Sequence, residues 1–145
     1  MEPRIKREAP SITTDLRSDT VQVPSVIRNC SGIRIFGKRI KSLIFTTDIA
    51  IILNNDADAV IAVYPFTPHP AVIQSIANVS TIPILSGVGG GTTQGKRSAN
   101  ISLFSEAQGS LAVVVNAPTP IDTIKQIEET VDIPIVCTIV TEYMD

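Results

Sequence analysis

Three observations predict an α/β fold built on a parallel sheet. Short β-branched apolar runs recur at 42–45, 59–64, 82–85, 111–115 and 133–139. They are apolar throughout rather than alternating, as strands buried on both faces are. Between them lie stretches of helical periodicity at 47–54, 70–77, 98–108 and 121–130. The order is therefore β-α-β-α-β-α-β-α-β, with right-handed crossovers and five parallel strands.

The first element is an arm. Residues 1–19 are polar and charged, ordered only if something holds them. Next, Val21 and Val23 alternate with Gln22, and Ile33 and Ile35 with Arg34, around a turn at Gly37-Lys38. Residues 1–40 thus read as an arm and β-hairpin extension, and 41–145 as a βα-repeat domain. The basic cluster Lys38, Arg39 and Lys41 reads as a solvated turn, with phosphate steering as the alternative. The helix at 98–108 turns Ile101, Phe104 and Ala107 inward and ends at Gly109. The helix at 121–130 takes Thr119 as N-cap and Pro120 as its first residue, and buries Ile121, Ile124, Ile127 and Val131.

The strand starts step by about 23 residues, so a complete eight-stranded barrel with this extension needs about 220. The chain has 145. Two architectures fit: part of a (β/α)8 barrel, stopping after its fifth strand, or a five-stranded flavodoxin-like open sheet. The repeated entries Thr81-Ile82-Pro83-Ile84 and Asp132-Ile133-Pro134-Ile135 favour the partial barrel. So does a last strand with no helix after it.

Composition excludes several classes. Apolar residues make up 43% and charged residues 18%, which excludes a disordered chain. No apolar run reaches the length of a membrane span, and MEPRIKREAP has no signal-type apolar region. A net charge of −2 lacks the footprint of a nucleic-acid binder. The expected setting is the cytoplasm, with Cys30 and Cys137 as free, buried thiols. One histidine, His69, builds no metal site, and no cofactor is expected. The expected partners are a small anionic metabolite and a second copy of the chain, paired through the open fifth strand. Neither nucleic acid nor membrane is expected.

The segments DAVIAVYPFTPHP, IPILSGVGGGTTQGKR, VVVNAPTP and DIPIVCTIV resemble the first five strands of phosphate-binding (β/α)8 barrels. The block from IKREAPSITTD through SGIRIFGKRIKSLIFTTD resembles proteins of low-GC Gram-positive bacteria that carry only the label "hydrolase". This resemblance implies a full barrel whose last three βα units are missing here. The usual phosphate site comes after the seventh and eighth strands, so no residue inherits it. The label names no substrate, and no catalytic residue carries over.

Function in either architecture belongs to the C-terminal ends of the strands. Five of eight glycines fall in 87–95, where a missing Cβ lets backbone N–H groups reach an anion. Gly87, Gly89, Gly90 and Gly91 with Thr92, Thr93, Lys96 and Arg97 form the expected anion cradle, completed by a helix N-terminus. The alternative is a glycine loop whose cations face water. Gly90 to Lys96 has P-loop spacing, but Arg97 stands where Ser or Thr would hold magnesium, so nucleotide hydrolysis is disfavoured. Asp48 and His69 are the acid–base candidates. Each has a plainer reading, Asp48 as a helix cap and His69 as an exposed loop residue. Tyr64 and Asn116 end strands and are candidate substrate contacts, against readings as a core aromatic and a turn former. Glu142 and Asp145 come after the fifth strand as further rim candidates. No Ser-His-Asp set and no nucleophile elbow is present.

Overall fold

The computed structural model describes residues 3–12 and 20–139, so Glu142 and Asp145 lie outside the described residues. Its main sheet has strands β3 (Leu43–Phe45), β4 (Ala59–Ala62), β5 (Ile84–Gly89), β6 (Ala112–Asn116) and β7 (Ile135–Thr138). They are parallel and lie side by side in chain order. A flavodoxin-like sheet has its first two strands exchanged, so this order excludes the open-sheet alternative. The sheet is a curled half-barrel.

Four helices alternate with these strands: α1 (Ile49–Leu53), α2 (Pro70–Val79), α3 (Lys96–Ala107) and α4 (Ile121–Thr130). The two faces of the sheet are both apolar, as the unbroken runs require. One face carries Ala59, Ile61, Leu85, Ala112 and Val114. The other packs against helices: Val60, Ala62 and Ile84 against Ile52 and Ile76, and Val113 and Val115 against Ile127 and Val131.

The two Ile-Pro motifs serve the same purpose, one step earlier than expected. Pro83 and Pro134 each precede a strand rather than enter it. Their carbonyls accept from Val60 N at 2.9 Å and Val113 N at 3.0 Å, so a residue without its own N–H still extends the ladder. β5 also runs on to Gly89, beyond the expected end at Leu85.

Two helices depart from the periodicity. α3 starts at Lys96 and buries Ser98, Ala99, Ser102 and Ser105 most deeply; of the expected face, Ile101 packs against the core partly buried, Phe104 is half-buried and Ala107 is exposed. Ser102 and Ser105 donate to the carbonyls of Ser98 and Ile101 at 2.7 and 2.8 Å. Small side chains with their hydroxyls satisfied in the helix allow a closer approach to the strands than leucine would. α4 departs at one residue: Ile127 and Val131 are buried and Ile124 packs beside them as expected, with Thr123 buried too, while Ile121 is 68% exposed. Its N-cap is Pro120; Thr119 instead donates from Oγ1 to the Asn116 carbonyl. The thiols also differ from expectation, since Cys30 and Cys137 are free but exposed.

Ahead of the half-barrel, a 3-10 turn (Ser25–Asn29) leads into the hairpin of β1 (Ile33–Ile35) and β2 (Lys38–Ile40). The hairpin is present, with its turn at Phe36-Gly37 rather than Gly37-Lys38. Val21 makes only one parallel bridge, to Asn55, so the early alternation builds no strand. Ile40 is 3% exposed and joins Ala59, Ile61, Leu85, Ala112 and Val114. The hairpin therefore seals the N-terminal end of the half-barrel. Asp58 fixes the junction by accepting from Lys41 N at 2.8 Å and Ser42 N at 3.3 Å.

Removing this seal has a calculable cost. Ile40→Ala is expected to lower unfolding free energy by about 2–5 kcal/mol, read as a reduced urea midpoint with an unchanged slope.

Candidate functional site

All five strands end on one side, so the turns after them form a common rim. The decisive local feature is in β5. Gly87 pairs with Val114, but Gly89 pairs with Val115, leaving Val88 as an extra residue. Such a bulge bends a strand and re-aims the residues beyond it. Val88 turns to the helix side, fully buried beside Val113 and Ile127. Gly89 then faces α3, where any Cβ would collide with Ser98 Oγ. Gly90, at φ +123°, lies against the Asn116 carbonyl on the next strand. Neither position has room for a side chain.

Gly90 and Thr93 close a two-residue turn, with Gly90 N donating to Thr93 O at 2.9 Å and the reverse bond at 3.2 Å. Gly91 takes φ +60° at its tip. The loop is pinned on both sides. Ser98 Oγ donates to Thr93 O at 3.1 Å, and Gly95 N donates to Thr123 Oγ1 at 2.9 Å. The backbone N–H groups of Gly91 and Thr92 have no acceptor among the described residues.

These features frame a cavity of about 330 Å³. It is walled by 63–68, by Gly87, by 89–93 and by Asn116. Thr138 Oγ1 donates to Asn116 Oδ1 at 2.8 Å, which orients the amide and leaves its Nδ2 as a donor. Tyr64 OH accepts from His69 N at 2.8 Å, so the phenol spans its own loop and keeps its proton to donate.

The other candidates divide between the cavity wall and places outside it. Lys96 and Arg97 are both exposed on the first turn of α3 and do not line the cavity. Gly87 and Gly89 line the cavity, but from β5 rather than from a loop. Asp48 is the N-cap of α1: Oδ1 accepts from Ala50 N at 2.8 Å and Ile51 N at 3.3 Å. His69 is the N-cap of α2, its Nδ1 accepting from Ala71 N at 3.1 Å. That bond assigns the proton of the neutral ring to Nε2. Neither residue lines the cavity. Among the described residues no cluster of His, Cys, Asp or Glu fits a metal ion. The sequence puts Pro65, Phe66, Thr67 and Pro68 on the rim segment that runs from Tyr64 to His69 without singling them out as contacts, and they form a full wall. The signal for them was present: Pro65 and Pro68, soon after the end of β4, stiffen a rim loop.

No family model matches the chain, and no curated protein does. Among solved structures it is similar to a dihydrodipicolinate synthase, a (β/α)8-barrel protein, at 21% identity and a TM-score of 0.50. The match covers 61% of this chain and 36% of that one. The chain thus spans about a third of its neighbour's length. This likeness supports the barrel architecture and carries no activity across.

Two substitutions test the geometry. Gly90→Ala places a Cβ against Asn116 at a φ that L-residues avoid, and is expected to destabilise by about 1–3 kcal/mol in chemical denaturation. Asp48→Ala is expected to cost about 1 kcal/mol, whereas Asp48→Asn is expected to keep most of that stability because an amide oxygen caps equally well.

Proposed function

We propose that the chain binds a small carboxylated metabolite at the C-terminal ends of its strands, as the substrate site of a metabolic enzyme. The carrying observation is the donor set of the cavity. Gly91 and Thr92, whose N–H groups have no acceptor among the described residues, and Asn116 line a space without any Asp or Glu in its lining. Backbone donors held by a pinned turn bind an anion at little reorganisation cost. The lining also contains no Lys or Arg. A singly charged carboxylate suits such a neutral donor set better than a phosphate dianion, which calls for cations.

Tyr64 is the one titratable side chain of the lining, so proton donation to a bound substrate falls to its hydroxyl. Asp48 and His69 stand behind it as acid–base candidates on neighbouring rim loops. The chemistry this supports is proton transfer next to a carboxylate, as in isomerases, lyases and some hydrolases.

A second reading, a half-barrel that works by pairing with another copy, is favoured by two free edges. β3 pairs only with β4, and β7 only with β6, among the described residues. Open edges recruit strands. A clean monomer at micromolar concentration in light scattering would remove this reading.

The first reading is tested by thermal shift against a panel of small mono- and dicarboxylates and their phosphorylated counterparts. Carboxylates are expected to raise the midpoint in proportion to the logarithm of concentration. Asn116→Ala is expected to weaken that binding roughly tenfold. Lys96→Gln with Arg97→Gln is expected to leave it unchanged, and a loss there would return the site to the cationic helix start.

A further inference from the structure

The net charge of −2 conceals a sharp division. Residues 1–41 carry nine of the twelve cations and four of the fourteen acids, a net of +5. Residues 42–145 carry the other three cations and ten acids, a net of −7. Within 20–41 there are five cations and no acid at all. This basic segment includes the hairpin at the end of the half-barrel opposite the cavity.

The hairpin shows three features that its folding role does not need. First, Arg34 and Arg39 stand directly opposite each other, both exposed. Like charges in a cross-strand pair are destabilising. No acid answers them: the one ion pair among the described residues is Arg28–Asp56 at 3.1 Å, and Arg39 donates only to the Ser31 carbonyl at 2.7 Å. Second, the turn places Phe36 at φ +49°, a left-handed conformation that bulky residues avoid. That phenylalanine is 71% exposed. Third, Ile33 and Val26 on the same segment are 52% and 69% exposed. A two-residue hairpin turn is ordinarily filled by Asn or Gly, so an exposed aromatic there is held at a cost.

We propose that this hairpin is a peripheral docking surface for an anionic lipid bilayer. Charge complementarity selects a surface of phosphates, since among the described residues no acid pairs with Arg34, Lys38 or Arg39. The turn selects among phosphate surfaces: Phe36, at the tip of the hairpin and 71% exposed, gains by leaving water for the headgroup boundary. A nucleic-acid backbone offers the charge, but base stacking draws on several aromatic rings, and Phe36 is the one aromatic residue of 20–41. The geometry then directs the cavity, at the other end of the strands, away from the membrane. No helix among the described residues is long and apolar enough to cross a bilayer, and the proposed contact is interfacial.

The test is sedimentation of the full chain with vesicles of phosphatidylcholine alone, or with about one-third phosphatidylserine. Binding to the anionic vesicles only, suppressed when salt rises from about 0.1 M to about 0.5 M, is expected. Two variants separate docking from folding. Arg34→Gln with Lys38→Gln removes two cations and the like-charge pair, and is expected to lower partitioning about tenfold or more. Phe36→Asn suits the left-handed turn, so it is expected to hold or raise the urea midpoint while lowering partitioning at least severalfold. Absence of binding to anionic vesicles, equal binding to neutral ones, or unchanged partitioning of either variant overturns the proposal. So does binding to a single-stranded oligonucleotide in fluorescence anisotropy without vesicle binding, which would assign the surface to nucleic acid.

Discussion

One surplus residue in β5 governs the candidate site. Without Val88 the strand would stay in register with β6, and the residue at its end would continue the alternation set at Leu85. Val88 takes the helix layer that alternation assigns it, the bulge turns Gly89 to the same side, and two glycines in succession come against two neighbours. Gly89 meets Ser98 on α3, and Gly90 meets Asn116 on β6. The helix start and the adjacent strand are thereby drawn onto the same turn. The free donors of Gly91 and Thr92 project from a turn that is bonded at its base and tied to α3 and α4. Glycine is used here for proximity, and the loop gains rigidity from what its missing side chains admit.

The same constraint explains which parts of the fold were legible in the chain. Five unbroken apolar runs and the intervening amphipathic stretches specify parallel strands and helices, because both faces of the sheet must be dry. Their order comes from right-handed crossovers between neighbours. The end of β5 was not legible: Ser86, Gly87 and Gly89 carry no strand propensity, and only pairing to β6 holds them extended. Nor was the buried face of α3, where hydrophobic periodicity points at Ile101 and Phe104. Closeness to the bulge selects Ser98, Ser102 and Ser105 instead, and each small hydroxyl is satisfied at a backbone carbonyl.

Site chemistry was legible in place more than in role. The glycine turn, Tyr64 and Asn116 do meet at one cavity. Asp48 and His69 lie on the expected rim turns, yet their acceptor atoms bond the first N–H groups of α1 and α2. A carboxylate or imidazole at a strand end suits capping and proton transfer equally in a linear pattern; only the position of the acceptor atom separates them. Lys96 and Arg97 illustrate the converse. Adjacent in sequence to the turn, they are carried off by the first turn of α3, because Gly95 at φ +61° reverses the chain just before them.

The two ends of the half-barrel answer to different demands. At the strand C-termini, the Asn116 amide and the exposed turn at Gly91-Thr92 border a small space whose lining carries no charged side chain. At the other end, Ile35 and Ile40 are driven into the core, and alternation along two short strands forces Arg34 and Arg39 to the outside, opposite each other. The strands could carry neutral residues there without loss of the seal, since burial depends on the isoleucines alone. The uncompensated pair and the exposed Phe36 are therefore separable from the fold. A feature that costs stability and contributes nothing to the core is best understood through what it meets outside the molecule. Here that is a surface with phosphate charge and an apolar interior.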